Sequence, residues 1–225
     1  MGSDEAELND AKEYSALLSA NLPVGADPLS FERLNSKSPY VALCYRDAQF
    51  FSIEELARGF IQSAVRSDAV VSTLLARAII ESVAGIWYLR QQVMRALNGK
   101  VSPGDLHRQL LRLLTGRRDS DPDKQAIQVL KFIDSVEREV PGFRKNYELL
   151  SEYAHPNWDG ALGLFSRRDE NSFITHFERS EERIANAMKI ALRSFNGSIG
   201  ILLHIYNDLN GQLEKLDTYL DGEGG

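Results

Sequence analysis

The stretch AVVSTLLARAIIESVAGIWYL, running from Ala69 to Leu89, decides the fold. Arg77 and Glu81 are its only charged residues. Val70, Leu74, Leu75, Ile79, Ile80, Val83, Ile86 and Trp87 cover most sides of a helical projection, the pattern of a helix surrounded by other protein. Ser67-Asp68 offers an N-cap and Gly99 a stop. The spacing therefore predicts a central, buried helix over 69–97.

The remaining segments also read as helices. Residues about 4–20 place Leu8, Ala11, Tyr14, Leu17 and Leu18 on one stripe, and 21–37, with Pro23, Gly25 and Pro28, read as a linker or wrapped loop. Pro39 opens a helix to about 50. Ser52, with Glu55 three residues on, has the form of a capping box opening another to about 66. Ser102-Pro103 starts a helix that ends near Gly116, Asp121-Pro122 one to about 138, and Pro141 one that runs to His155. Ala161–Ser166 and Ser172–Phe177, separated by a polar run, predict a β-hairpin. Ser180 then caps a long helix through about 219. The expected fold is all-α: a multi-helix bundle with a small hairpin, about 161–177, inserted before a long C-terminal helix. Residues 1–37 form an N-terminal helix and arm, 38–219 the bundle domain, and 220–225 a tail.

Composition limits the function classes. With 225 residues, 43% of them hydrophobic, the chain can bury a substantial core. The acidic start (Asp4, Glu5, Glu7, Asp10) is the opposite of a secretion signal, and the apolar stretches predict no membrane span. Cys44 is the only cysteine, which excludes an internal disulfide or a cysteine-based zinc site and suits a reducing cytoplasm. The net charge of −6 is uneven. Residues 1–89 hold seven Lys/Arg against twelve Asp/Glu, 119–225 hold twelve against nineteen, and 90–118 hold seven against Asp105 alone. Arg108, Arg112, Arg117 and Arg118 in this basic segment are candidate contacts for RNA phosphates; the alternative is a solvated surface facing the protein's own acidic helices.

Chemistry-bearing residues are few. Phosphate-binding glycine loops, the dinucleotide turn, His-Glu-x-x-His and Gly-x-Ser-x-Gly are all missing from the sequence. Arg77 and Glu81, four residues apart, share a helical face. In so apolar a helix both charges need partners, either as an internal ion pair or in a polar pocket. His155 stands where Pro156 must stop its helix, beside the partial negative charge of a helix end, and titrates near neutrality. Glu152 and His155 match one Glu-x-x-His metal motif, but a di-metal bundle needs two. No metal or cofactor is expected.

Arg77-Ala78-Ile79-Ile80-Glu81, followed by Tyr147-x-x-Leu150-Ser151-x-Tyr153-x-His155-Pro156, resembles a group of bacterial helical proteins without an assigned activity. The group is distantly similar to the HEPN superfamily, and the likeness covers roughly residues 38–205. Active HEPN members are metal-independent ribonucleases of toxin–antitoxin and phage-defence systems, with an Arg-x(4–6)-His pair usually placed across a dimer cleft. The resemblance implies His155 as the catalytic position. The arginine nearest upstream is Arg144, eleven residues before it, which is about 16 Å along a helix and too far to grip one phosphate together. Arg77 or a second subunit would have to supply the guanidinium.

Two functions are therefore expected. In the favoured one the chain is a binding, assembly or regulatory module in which Arg77, Glu81 and His155 form a buried polar network. In the other it is a HEPN-like ribonuclease, with His155 as acid or base, Arg77 holding phosphate and Glu81 orienting one of them. The expected partners are a second copy of the chain, RNA, or another protein, in a bacterial cytoplasm and without a membrane.

Overall fold

Helix α3 spans Ala69–Leu97, the bounds its sequence predicts. From Leu75 to Met94 none of its residues is exposed. It is long and apolar enough to cross a membrane by composition, and 56% of that apolar window is buried inside the protein, as expected of a core helix. The computed structural model describes residues 2–28, 37–116 and 125–222. Among these the chain is an all-α, multi-helix bundle with a single two-stranded hairpin before a long C-terminal helix.

Helix α1 covers Gly2–Ala20 and buries Ala11, Ser15 and Leu18, leaving Leu17 of the expected stripe exposed. Helix α2 runs unbroken over Ser38–Val65, so the start expected at Ser52 is absent. No proline or glycine lies between Val41 and Arg58, and a Ser-x-x-Glu pattern without a chain break sits comfortably inside a helix. Ser67, with a left-handed φ of 55°, makes the turn into α3, and Gly99, at φ 65°, follows the end of α3.

Helix α4, Pro103–Thr115, is capped as predicted, with Ser102 accepting from the Asp105 N–H at 3.2 Å. The start expected at Asp121-Pro122 lies outside the described residues. Helix α5 covers only Val129–Glu137, because Arg112 Nε donates to the Gln125 carbonyl at 2.8 Å and Gln128 is extended. Helix α6, Phe143–Ala154, ends at His155 as predicted.

The first expected strand is mostly helical. Trp158–Leu162 forms one π-helical turn and Gly163–Phe165 a short helix, α7. Asn157 causes this by accepting the Gly160 N–H at 2.9 Å, which starts a helical turn where alternation suggests a strand. Strands β1, Ser166–Arg168, and β2, Thr175–Phe177, then pair antiparallel, with Arg167 opposite His176. Helix α8, Glu181–Gly222, follows, its first turn carrying Glu181 and Glu182 against the helix dipole.

The chain divides into two compact units, and α2, α3 and α8 contribute residues to each. One unit comprises residues 1–20, 53–80 and 140–199. Its core stacks Phe60 on Phe195, centroids 4.4 Å apart, with Leu18, Ile53, Ile79 and Leu150 also fully buried. Buried Glu54 holds α1 to α2 by accepting from Ser19 Oγ at 2.7 Å and Arg58 Nε at 2.8 Å. The other unit comprises residues 21–52, 81–139 and 200–225. Ile86, Leu89, Leu106, Leu110 and Ile133 form its core, with Tyr88 against Phe132 and Phe50 against Tyr206.

Candidate functional site

The two halves of the Arg77/Tyr147 motif meet. Arg77 Nη2 donates to Tyr147 Oη at 3.1 Å, and the guanidinium lies 5.2 Å from the same ring's centroid. Helices α3 and α6, seventy residues apart in sequence, are joined here by a hydrogen bond and a cation–π contact. Glu81, one turn further along α3, is half-buried.

His155 corrects the expected buried network. Pro156 forces its backbone to an extended φ/ψ of −85°/146°, turning the chain off the helix axis. The imidazole is exposed, as are Pro156, Asn157, Trp158 and Asp159. Among the described residues, no hydrogen bond or ion pair reaches its ring. Glu152, its partner in the Glu-x-x-His pattern, accepts from Asn157 Nδ2 at 3.0 Å, and the described residues hold no cluster of three metal-ligating side chains.

The basic segment is largely committed within its own unit. Arg90 pairs with Asp208 at 2.7 Å, Arg108 with Asp105, and Arg112 with the Gln125 carbonyl. Asp105 is held below the usual carboxylate range by the Ser102 hydroxyl and then by Arg108. Arg108 remains exposed on α4, while Arg117 and Arg118 lie outside the described residues.

Two arrangements had no clear sequence signal. The first is a polar cluster in the second unit built around buried Arg46. Arg46 lies 4.3 Å from the Tyr206 ring centroid, bonds Asp47 at 2.7 Å and donates to Asn210 Oδ1 at 3.1 Å; Tyr206 Oη donates to Asp47 at 2.8 Å. Burial above all, together with the Asp47 carboxylate, pushes the Tyr206 hydroxyl up to about 12. Every member has a partner, which makes this an internal brace.

The second arrangement is the surface from Trp158 to Phe177. Arg183 lies 5.3 Å from the Trp158 ring centroid. Gly163 permits this stack, because a Cβ there would meet Arg183 Nη1 at 2.6 Å and the Trp158 carbonyl at 2.9 Å. Grooves of about 320 and 310 Å³ flank the pair, the first edged by Tyr153 and Asn186, the second by Arg167 and Arg168. Trp158, Leu162, Phe165, Phe173, Ile174 and Phe177 are all exposed, Phe173 at 68% and Phe177 at 80%.

The turn of the hairpin is built by Asp169. Its Oδ1 accepts the N–H groups of Asn171 and Ser172, its carbonyl that of Phe173, and its own N–H reaches the Ile174 carbonyl. The two side-chain bonds hold its carboxyl below the ordinary range. Phe173 occupies the left-handed position of this turn at φ 58°, where glycine or asparagine is the comfortable choice. Its ring, 5.1 Å from the Arg168 guanidinium, is otherwise in solvent. No protein-family model matches the chain, and no curated protein or solved structure matches it.

Proposed function

We propose that this chain is a binding and assembly module that associates with a second copy of itself through the surface from Trp158 to Phe177. One observation carries the reading: six large apolar side chains are left in water within twenty residues. At about 200 Å² for a large apolar side chain, they expose roughly 700 Å². An isologous contact uses the same patch twice and would cover roughly 1,400 Å², the size of a specific protein interface. Aromatic rings beside arginines, here Trp158 with Arg183 and Phe173 with Arg168, are the composition of interface hot spots. Charge argues against a nucleic-acid partner at this surface, since residues 158–183 hold four arginines against six Asp and Glu.

Sedimentation velocity from about 1 to 100 µM tests this, a span covering micromolar dissociation constants. The wild type is expected to dimerise, and Phe173→Ser/Phe177→Ser to stay monomeric with its melting temperature held. A wild type monomeric throughout would overturn the reading.

A metal-independent ribonuclease of the HEPN kind, serving toxin–antitoxin or phage defence, is the second reading. The hydrogen bond between Arg77 and Tyr147 favours it by joining the two motif halves, with His155 open to an incoming substrate. Tyr147 lies eight residues, about 12 Å along α6, before His155, so in that case His155 moves the proton and a second subunit supplies the guanidinium that steadies the phosphate. RNA cut by the wild type but not by a folded His155→Ala variant would replace the assembly reading; intact RNA with both would remove the ribonuclease.

A further inference from the structure

We infer that two copies join along the outer edge of β2, merging their hairpins into one four-stranded antiparallel sheet. The inference rests on the assembly reading and names its geometry. The hairpin bonds its ends through Asp169 N–H to Ile174 and Glu178 N–H to Phe165. Bonded pairs alternate along an antiparallel ladder, so Arg167 and His176, midway between, bond each other. Thr175 and Phe177 therefore turn their N–H and C=O groups outward, away from β1. Every residue from Asn171 to Arg179 is exposed, so no described residue covers that edge. An open edge of this kind is a template for another strand.

The occupant follows from charge and symmetry. The β1 edge carries Arg167 and Arg168, which would face like charges in a symmetric pairing of two β1 strands. From Phe173 to Phe177 there is no Asp, Glu, Lys or Arg, so two copies can approach along β2 without repulsion between such groups. Pairing β1 of one copy with β2 of the next would be heterologous and would propagate instead of closing. A two-fold axis through His176 sets Thr175 opposite Phe177 of the second copy and satisfies all four outward groups of each copy. On this edge Phe173, Ile174 and Phe177 expose about 400 Å² of apolar surface per copy, and the main-chain bonds between the two β2 strands supply the rest of the contact.

Disulfide trapping in the full chain tests the geometry. In a Cys44→Ser background, His176→Cys places the two new thiols on residues about 4.5 Å apart between Cα atoms, within disulfide reach. Arg167→Cys places them on outer strands about 14 Å apart, out of reach. Under mild oxidation the first variant is expected to run as a covalent dimer and the second as a monomer. Trapping through Arg167→Cys instead would overturn the β2 pairing in favour of the other edge. If neither variant is trapped while light scattering still reports a dimer, the pairing fails and the assembly reading stands. A monomer by light scattering removes both. These residues are exposed, so thermal melts matching wild type are expected for each variant and confirm that the fold survives.

Discussion

Replacing Phe173 by glycine should strengthen the hairpin and weaken the assembly. A non-glycine residue in the left-handed region costs about 1–2 kcal/mol. Glycine's greater freedom in the unfolded chain returns about 0.5–1 kcal/mol of that. The hairpin of Phe173→Gly should gain about 0.5–1 kcal/mol, a two- to fivefold rise in amide exchange protection where the turn opens locally. The assembly loses a ring of which 68% is exposed, or about 140 Å² per copy. At about 25 cal/mol per Å², covering half of this area on both copies is worth roughly 3.5 kcal/mol. The dimer dissociation constant should therefore rise about three-hundredfold. Hydrogen exchange at the Asp169, Phe173 and Glu178 amides reads the first effect, and sedimentation velocity reads the second. Unchanged dissociation together with lower protection would refute the reasoning, because the ring would then be holding its own turn through Arg168 and not meeting a partner.

Gly85 packs against the Tyr45 hydroxyl, and a Cβ there would meet Tyr45 Oη at 2.5 Å but Cζ only at 3.7 Å. Gly85→Ala should destabilise by about 1–2 kcal/mol in urea melts, since overpacking outweighs the gain in helix propensity; in a Tyr45→Phe background it should become neutral or stabilising, and additive effects would dismiss the contact. Asp169 has a folded pKa below its ordinary value of 3.8, so its contribution to the turn is present above that value and is lost as pH falls through the lower folded one. Exchange protection at Asn171 and Ser172 should drop at the acid end of that window in the wild type and be flat in Asp169→Asn; parallel profiles would count against the carboxylate as the support of the turn.

Much of the secondary structure was legible in the sequence. Ala69–Leu97, Ser102 capping α4 and the halt at His155 all follow from local rules of burial, capping and proline sterics. The break expected at Ser52 is absent because a Ser-x-x-Glu pattern caps a helix only where the backbone already departs from helix, and no proline or glycine between 41 and 58 forces that departure. The strand expected over 161–166 was lost to Asn157, whose side chain starts a helical turn just upstream. Of the candidate site, the sequence marked Arg77, Glu81 and His155 as chemically unusual but not their surroundings. Tyr147, already present in the motif, is a residue that Arg77 touches.

By itself, the sequence determined the all-helical class, the buried α3, the helix stop at Pro156 and the position of a hairpin, because each depends on interactions within a few residues. It took the tertiary structure to bring Arg46 and Asp47 to Tyr206 and Asn210, to turn His155 to water, and to leave Phe173, Ile174 and Phe177 uncovered. Burial and partnership depend on which distant segments arrive at a side chain. An apolar residue in a strand reads the same whether its neighbour is the core or solvent awaiting another chain.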